Sequence, residues 1–282
     1  MKTEKLLSLA FIVGSLAFTA CNNEGTKTAD NNADTTKTAT PSIKEENITY
    51  KADTATLNGY VAYDANSTAK RPVVLVVHEW WGLNDYVRSR ARQLAELGYL
   101  AMAVDMYGNG KIAEDPKQAM AYAGPFYSNP QLAKSRIDAA LARVKEFPQA
   151  DTANIAAIGY CFGGSVVLNT AKLGEPFKGV VSFHGGLAGV QPNKDLLKAK
   201  VLVCHGGADS FVNANEVAQF RKSMDSIGAD YTFKVYDSAT HAYTNPNATA
   251  VGQKFNMPIR YNETADKKSW ADMKEFLGKV LK

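Results

Sequence analysis

The 282-residue sequence has only three cysteines, Cys21, Cys161 and Cys204, and little excess charge of either sign. Three cysteines exclude the disulfide frameworks that hold small secreted domains together. The formal net charge is +4, and no basic run with interleaved aromatic residues indicates a nucleic-acid surface. Internal repeats and a phosphate-binding P-loop are also missing from the sequence. We therefore expect a globular domain with no nucleic-acid partner.

The first 21 residues contain an apolar run, 6–16, that is too short for a comfortable membrane span. Two lysines precede the run, and Cys21 follows it closely, which is typical of an export signal. The last four of these residues resemble a bacterial lipobox, although Phe18 stands where Leu is usual. We expect a lipoprotein signal peptide at 1–21, lipidated at Cys21, and a lipid-anchored protein exported to the bacterial cell envelope. An ordinary secretory signal, cleaved near Ala20, is the alternative.

Residues 22–42 lack aromatic and large aliphatic side chains. Such a composition cannot bury enough apolar surface to offset the entropy of the chain, so it predicts a disordered tether. The remaining residues, 43–282, are sufficient for one α/β domain.

Apolar strand-like runs alternate with helix-like patterns along residues 43–282. The continuous apolar run 73–77 is typical of a central parallel strand, and 266–281 has the pattern of an amphipathic helix. Strands are predicted at 46–51, 56–63, 73–77, 99–104, 154–158, 180–183, 201–204 and 231–236, and helices at 84–97, 118–122, 132–147, 165–171, 213–227 and 266–281. This alternation predicts a mostly parallel sheet covered by helices on both faces. Functional groups in such sheets gather beyond the carboxyl ends of the strands.

Residues 159–164, Gly-Tyr-Cys-Phe-Gly-Gly, lie between a predicted strand and a predicted helix. Gly-x-Cys-x-Gly in this position is typical of a nucleophile elbow, with cysteine in place of serine. Side chains at Gly159 and Gly163 would collide in so tight a turn. The N-terminus of the following helix would favour a thiolate or an oxyanion. A glycine-rich turn with a buried cysteine is the alternative.

Cys161, Asp209 and His241 follow one another in the nucleophile–acid–histidine order of α/β hydrolases. An imidazole can take the proton of a thiol, and a carboxylate can hold that imidazole in the required tautomer. The alternatives are a loop-capping role for Asp209 and an exposed loop histidine at 241. Structural roles beneath the site are expected for the other strand-end histidines, His78, His184 and His205. Cys204 lies in an apolar strand, where we expect it to be inert and not disulfide-bonded to Cys161.

Five motifs together resemble the dienelactone hydrolase (carboxymethylenebutenolidase-like) family over about residues 51–280. They are His-Glu-Trp-Trp-Gly-Leu at 78–83, Asp-Met-Tyr-Gly at 105–108, the elbow at 159–164, Gly-Gly-Ala-Asp at 206–209 and His-Ala-Tyr at 241–243. The resemblance implies an α/β-hydrolase fold, a Cys-His-Asp triad, and neither cofactor nor metal. It also implies that Glu79 contacts the nucleophilic thiol and restrains it. A salt bridge from Glu79 to Arg88 or Arg92 is the alternative.

The oxyanion hole should combine the backbone N–H of Phe162 with that of Glu79 or Trp80. Aromatic side chains at the strand ends are expected to wall the pocket: Trp80, Trp81, Tyr107, Phe162, Phe211 and Tyr243. One departure concerns the arginines that hold a substrate carboxylate in the family. The corresponding positions here are Gly108-Asn109-Gly110-Lys111 and Asn245, none of which is arginine. Lys111 could supply only a point charge and not the bidentate contact of an arginine.

The sequence therefore predicts a hydrolase of small esters or lactones that forms an acyl-thioester intermediate. A catalytically inactive binding module at the membrane surface is the alternative. A serine lipase is not favoured, because Ser165 lies one turn into the helix that follows the elbow.

Overall fold

The fold is built on an eight-stranded mixed sheet, seen in a computed structural model that describes residues 40–282. The strands are β1 (Ile43–Ala52), β2 (Ala55–Asp64), β3 (Arg71–Val77), β4 (Leu100–Val104), β5 (Ala150–Tyr160), β6 (Gly179–Phe183), β7 (Lys200–Gly206) and β8 (Tyr231–Tyr236). Their order across the sheet is β1-β2-β4-β3-β5-β6-β7-β8. β2 pairs antiparallel with both β1 and β4, and every other neighbouring pair is parallel.

Seven helices lie in the described part of the chain and cover both faces of the sheet. They are α1 (Asp85–Glu96), α2 (Pro116–Ser128), α3 (Pro130–Val144), α4 (Phe162–Lys172), α5 (Ala214–Ser226), α6 (Ala248–Phe255) and α7 (Glu263–Val280). The central strand β3 sends Val73, Leu75 and Val77 into the core shared with α3, α4 and α5. Its Val74 and Val76 enter the core shared with α1 and α7. A strand with alternate side chains buried on opposite faces must be apolar throughout, which explains the continuous run.

The predicted mostly parallel α/β architecture is confirmed, and each predicted strand is present. β5 is longer than expected because its first residues also pair with β3. Pro72 lies opposite Asp151 and Val73 opposite Ile155, so a bulge absorbs three residues of β5. The short helix α6 was not predicted. It contains Thr249, Val251 and Gly252, which favour a helix weakly, and it buries little surface.

The predicted signal peptide, Cys21 and most of the predicted tether lie outside the described residues. The last part of that tether, 40–42, is hydrogen-bonded to the end of β2. The N–H of Ser42 donates to Asp64 Oδ1 at 2.9 Å, and the carbonyl of Ser42 accepts from the N–H of Ala65 at 2.7 Å. Between residues 40 and 282, no helix has both the length and the apolar character that crossing a membrane requires.

Candidate active site

Cys161, Asp209 and His241 come together at the carboxyl edge of the parallel strands. Cys161 follows β5 directly, Asp209 lies just after β7, and His241 lies in the loop after β8. The Nδ1 of His241 and the Oδ2 of Asp209 are 2.8 Å apart, and both residues are buried. Cys161 is only partly buried and borders the same cavity as His241. The elbow therefore presents a thiol to an imidazole that is already held by a carboxylate.

The backbone of Cys161 is strained, with φ 51° and ψ −114°. Glycines on either side make this turn possible. A Cβ on Gly159 would lie 2.1 Å from the carbonyl oxygen of Gly163, and a Cβ on Gly163 would lie 2.3 Å from the carbonyl oxygen of Val77. A strained residue of this kind costs about 1–3 kcal/mol and persists only where its surroundings determine it. The collisions expected from the motif are present at both glycines.

Hydrogen bonds from beneath hold the strained elbow. The N–H of Cys161 donates to the carbonyl of Phe183 at 3.0 Å and to Nδ1 of His184 at 3.1 Å. The Nε2 of His184 in turn lies 2.7 Å from the hydroxyl of Thr244, which is also bonded to Tyr86. Because Nδ1 accepts, Nε2 must carry the proton and donate to Thr244. Burial of the ring lowers the pKa of His184 well below its ordinary value, so the ring stays neutral.

The electrostatics of His241 depend on its two partners. Burial of the ring lowers its pKa, but the interactions with Cys161 and Asp209 together raise the pKa well above its ordinary value. Asp209 also accepts from the N–H groups of Phe211 and Val212, at 2.9 and 3.3 Å, through its other oxygen. The carboxylate thus caps its own loop and holds the histidine, so the two interpretations of Asp209 describe one arrangement.

The two segments predicted to form the oxyanion hole are joined to each other. Phe162 begins α4, so its N–H has no acceptor within the helix. The next residue, Gly163, donates to the carbonyl of His78 at 3.0 Å and so ties the helix start to the loop after β3. The Nδ1 of His78 lies 2.5 Å from the carbonyl oxygen of Glu79, which fixes that loop further. The roles of the Phe162 and Trp80 amides stay predictions.

Glu79 reaches the cavity but contacts an unexpected partner. Its side chain is 2% exposed, and its Oε2 accepts from Nδ2 of Asn245 at 2.6 Å. Burial raises the pKa of Glu79 to about 7, against the opposing effects of Asn245 and His241. Among the hydrogen bonds of the described residues, none joins Glu79 to Cys161, so the restraint of the thiol stays a prediction. The sequence marks Asn245 only as the position of a missing arginine, and no sequence pattern predicts its contact with Glu79.

The alternative for Glu79, a salt bridge to Arg88 or Arg92, is wrong. Both arginines lie on α1 and instead contact residues of β1. Arg88 donates to Oδ1 of Asn47 at 2.7 Å, and Arg92 forms a bidentate pair with Glu45.

A cavity of about 330 Å³ opens above the elbow. Fifteen residues line it: Glu79, Trp80, Trp81, Met120, Tyr127, Cys161, Ser165, Gly186, Phe211, Val212, Glu216, His241, Ala242, Met257 and Ile259. Trp80, Trp81 and Phe211 had been predicted to line it. The contributions of α2 and of the segment after α6 had not, since neither segment carries a motif.

Tyr107, Phe162 and Tyr243 were also predicted to line the pocket, and their side chains do not. Tyr107 lies behind the wall, where its hydroxyl donates to the carbonyl of Trp80 at 2.9 Å and its ring packs on Phe162. The Phe162 side chain is buried in the core beneath the elbow. Tyr243 is wholly buried and donates to the carbonyl of Cys204 at 3.3 Å. Each residue follows a strand end but points down into the core rather than up into the cavity.

The remaining groups near the site are structural. His78 also accepts from the N–H of Met106 at 3.3 Å, and burial lowers its pKa to about 4. The ring of His205 packs against Phe233. Cys204 is a free thiol inside β7, and burial raises its pKa to about 12. Over residues 40–282, no cluster of three or more His, Cys, Asp or Glu side chains could hold a metal ion.

Comparisons with known proteins place this geometry in context. Residues 57–281 match the dienelactone hydrolase family. A Methylorubrum extorquens protein provisionally named carboxymethylenebutenolidase is 30% identical over 184 residues, which is 61% of this chain and 63% of the relative. An Aquifex aeolicus protein with the same provisional name is 30% identical over 179 residues, or 62% and 77% of the two chains. A crystal structure of a dienelactone hydrolase-like promiscuous phosphotriesterase from metagenomic libraries superposes with a TM-score of 0.80. It is 30% identical and covers 85% of this chain and 99% of the other.

Proposed function

Because the chain belongs to the dienelactone hydrolase family of α/β-hydrolase-fold enzymes, we propose that it hydrolyses small carboxylic esters or lactones with Cys161 as nucleophile. One observation carries the proposal. A strained cysteine and a carboxylate-held histidine border the same cavity. An inactive binding module would have no use for this strain or for the buried His241–Asp209 pair. The binding-module alternative is therefore not favoured.

The reaction proceeds in two halves. His241 Nε2 takes the proton of Cys161 while Sγ attacks the ester carbonyl carbon, and the carbonyl electrons move onto the oxygen. The amides of Phe162 and Trp80 stabilise that oxyanion. The oxyanion collapses, the alcohol leaves with the proton held by His241, and an acyl thioester remains. Water then attacks the thioester while His241 takes a proton from it, and the tetrahedral intermediate expels Sγ, which recovers that proton from His241 as the acid departs. Asp209 keeps Nδ1 of His241 protonated throughout.

A second activity is favoured by one feature of the cavity. Its lining has no lysine or arginine, although the described residues include many of both. A neutral phosphotriester, the substrate class named for the metagenomic relative, needs no cationic partner. We therefore include slow attack on neutral aryl dialkyl phosphates as a second candidate function.

The test is mass spectrometry of enzyme quenched during turnover of a p-nitrophenyl ester, together with steady-state rates. We expect acyl mass on the peptide that contains Cys161. Cys161→Ala should lose turnover by at least about a thousandfold, as removal of a nucleophile does in other triad enzymes. Cys161→Ser serves as the matched variant that retains a weaker nucleophile. Full turnover by Cys161→Ala would refute the proposal.

We also propose that the hydrolase is lipid-anchored at Cys21 in the bacterial cell envelope. Support comes from the sequence alone: a short apolar run, the adjoining cysteine and a polar tether. A single acyl chain binds a membrane only marginally, so stable anchoring would need more than one.

A further inference from the structure

The cavity above Cys161 is lined by two acidic side chains, and its one basic side chain is His241, which is paired with Asp209. Glu79 and Glu216 both line it, and none of the other thirteen lining residues is a lysine or an arginine. A charge that enters a partly enclosed apolar site interacts far more strongly with such groups than it would in water. The cavity therefore opposes a negatively charged substrate.

Glu216 is fixed in its place in the wall. It lies in the first turn of α5, where the side chain of Asn213 caps the helix by accepting from the N–H of Glu216 at 3.1 Å. Its Oε1 accepts from the N–H groups of Leu187 and Ala188, at 2.5 and 3.0 Å. These bonds hold the acidic group beside the cavity rather than letting it swing into solvent.

The two positions that could have supplied a cation do not. Asn245 is buried and carries no charge, and its side-chain amide already donates to Glu79. Lys111 lies outside the lining of the cavity, with its Nζ over the ring of Tyr122 at 5.4 Å. A substrate carboxylate would therefore find no lysine or arginine in this lining to compensate it.

Apolar side chains are exposed at the border of the same cavity. Met120, Tyr127 and Phe211 are 52%, 47% and 48% exposed, although each is large and apolar or aromatic. All three line the cavity, alongside the partly buried Trp80 and Trp81. Exposed apolar surface that adjoins a pocket is a common sign of a binding site. Burying this surface would stabilise an alkyl or aryl group that extends from the ester.

We infer that the site takes uncharged esters with an apolar acyl group and rejects esters whose acyl group carries a carboxylate. This inference rests on the proposed ester hydrolysis and specifies its substrate class. Glu79 and Glu216 disfavour the anion, and the exposed apolar border favours the alkyl or aryl chain. An uncharged ester gains from the apolar contact without the electrostatic repulsion.

The experiment compares two esters of equal chain length and identical leaving group, p-nitrophenyl hexanoate and the p-nitrophenyl monoester of adipic acid, at pH 8 and low salt. We expect kcat/KM to favour hexanoate by roughly tenfold or more, since two like charges about 12 Å apart at an effective dielectric of 20 already repel by the free energy of a tenfold ratio. Added salt should narrow the ratio. Glu216→Gln keeps an acceptor for the N–H groups of Leu187 and Ala188 but removes the charge, so it should also lower the kcat/KM ratio between the two esters. Glu96→Gln removes an exposed carboxylate elsewhere and should leave it unchanged.

A second arm tests the apolar border with p-nitrophenyl octanoate and acetate. Met120→Gln should lower the octanoate-to-acetate ratio of kcat/KM by roughly threefold, as expected for losing part of an apolar contact. Val235→Thr changes an apolar side chain that is similarly exposed on β8, and should not change the ratio.

The outcomes separate the inference from the proposed function. If the adipate monoester is turned over as fast as hexanoate at low salt, with acyl mass on Cys161 in both cases, the substrate class is wrong and the hydrolase stands. If neither ester is hydrolysed and Cys161 acquires no acyl mass, the proposed function itself fails. An octanoate-to-acetate ratio that is unaffected by Met120→Gln would overturn the role of the apolar border.

Discussion

The buried carboxyl of Glu79 should make the protein less stable as pH rises, and Glu79→Gln should remove this effect. Burial raises its pKa from 4.5 to about 7. Below pH 4.5 the group is protonated in both the folded and the unfolded chain and contributes no difference. Above about pH 7 the folded chain must hold the carboxylate in its buried position. The pKa difference, at about 1.4 kcal/mol per pH unit, corresponds to about 3 kcal/mol of lost stability.

Urea denaturation of wild type and Glu79→Gln at several pH values between 5 and 8 measures this directly. We expect the gain in the free energy of unfolding for the variant to grow from just under about 1 kcal/mol at pH 5 to about 3 kcal/mol at pH 8. Other titrating groups are common to both proteins and largely cancel in the difference. Glu96→Gln, at an exposed position, should change stability by less than about 0.5 kcal/mol. Parallel pH profiles for wild type and Glu79→Gln would refute the reasoning.

Two further predictions concern the support of the elbow and the location of the protein. Thr244→Val removes the hydroxyl that His184 and Tyr86 share, and should cost about 1–3 kcal/mol of stability. It should also lower kcat by roughly tenfold with little change in KM, if the loss acts through positioning in the transition state. Thr244→Ser should restore both, and a wild-type kcat in the valine variant would contradict the role. Cell fractionation should find the wild-type protein in membranes and Cys21→Ala in the soluble fraction, while wild-type protein that is soluble and without acyl mass would contradict the anchor.

Much of the fold follows from local sequence pattern. A strand such as β3, buried on both faces, must be apolar throughout, and α7 repeats its buried residues at helical spacing, as at Ser269, Met273 and Leu277. The bulge in β5 was not predictable, because it depends on how residues 150–155 pair with another strand. The helix α6 escaped prediction because its local helix propensity is weak, with Thr249, Val251 and Gly252 among its eight residues.

The site could be predicted where a motif fixes the backbone and not where only the direction of a side chain matters. The elbow glycines and the order of Cys161, Asp209 and His241 locate the carboxyl edge of the sheet. The sequence gives no comparable signal for Tyr243, which lies two residues past His241 and points into the core. Nor does it show that Asn245 would turn inward to Glu79. Such directions depend on tertiary packing, which neither composition nor spacing records.

The separation of Cys161 from Cys204 by a whole strand has a consequence for oxidative damage. β6 lies between β5 and β7, with Tyr160 opposite Phe183 and Phe183 opposite Cys204. Two strand spacings amount to about 10 Å, whereas the Cα atoms of a disulfide lie within about 7 Å. If Cys161 is oxidised to a sulfenic acid, Cys204 cannot act as its resolving thiol. Within the described chain the lesion has no internal repair, so recovery of the nucleophile depends on a small thiol or a reductase that enters through the cavity.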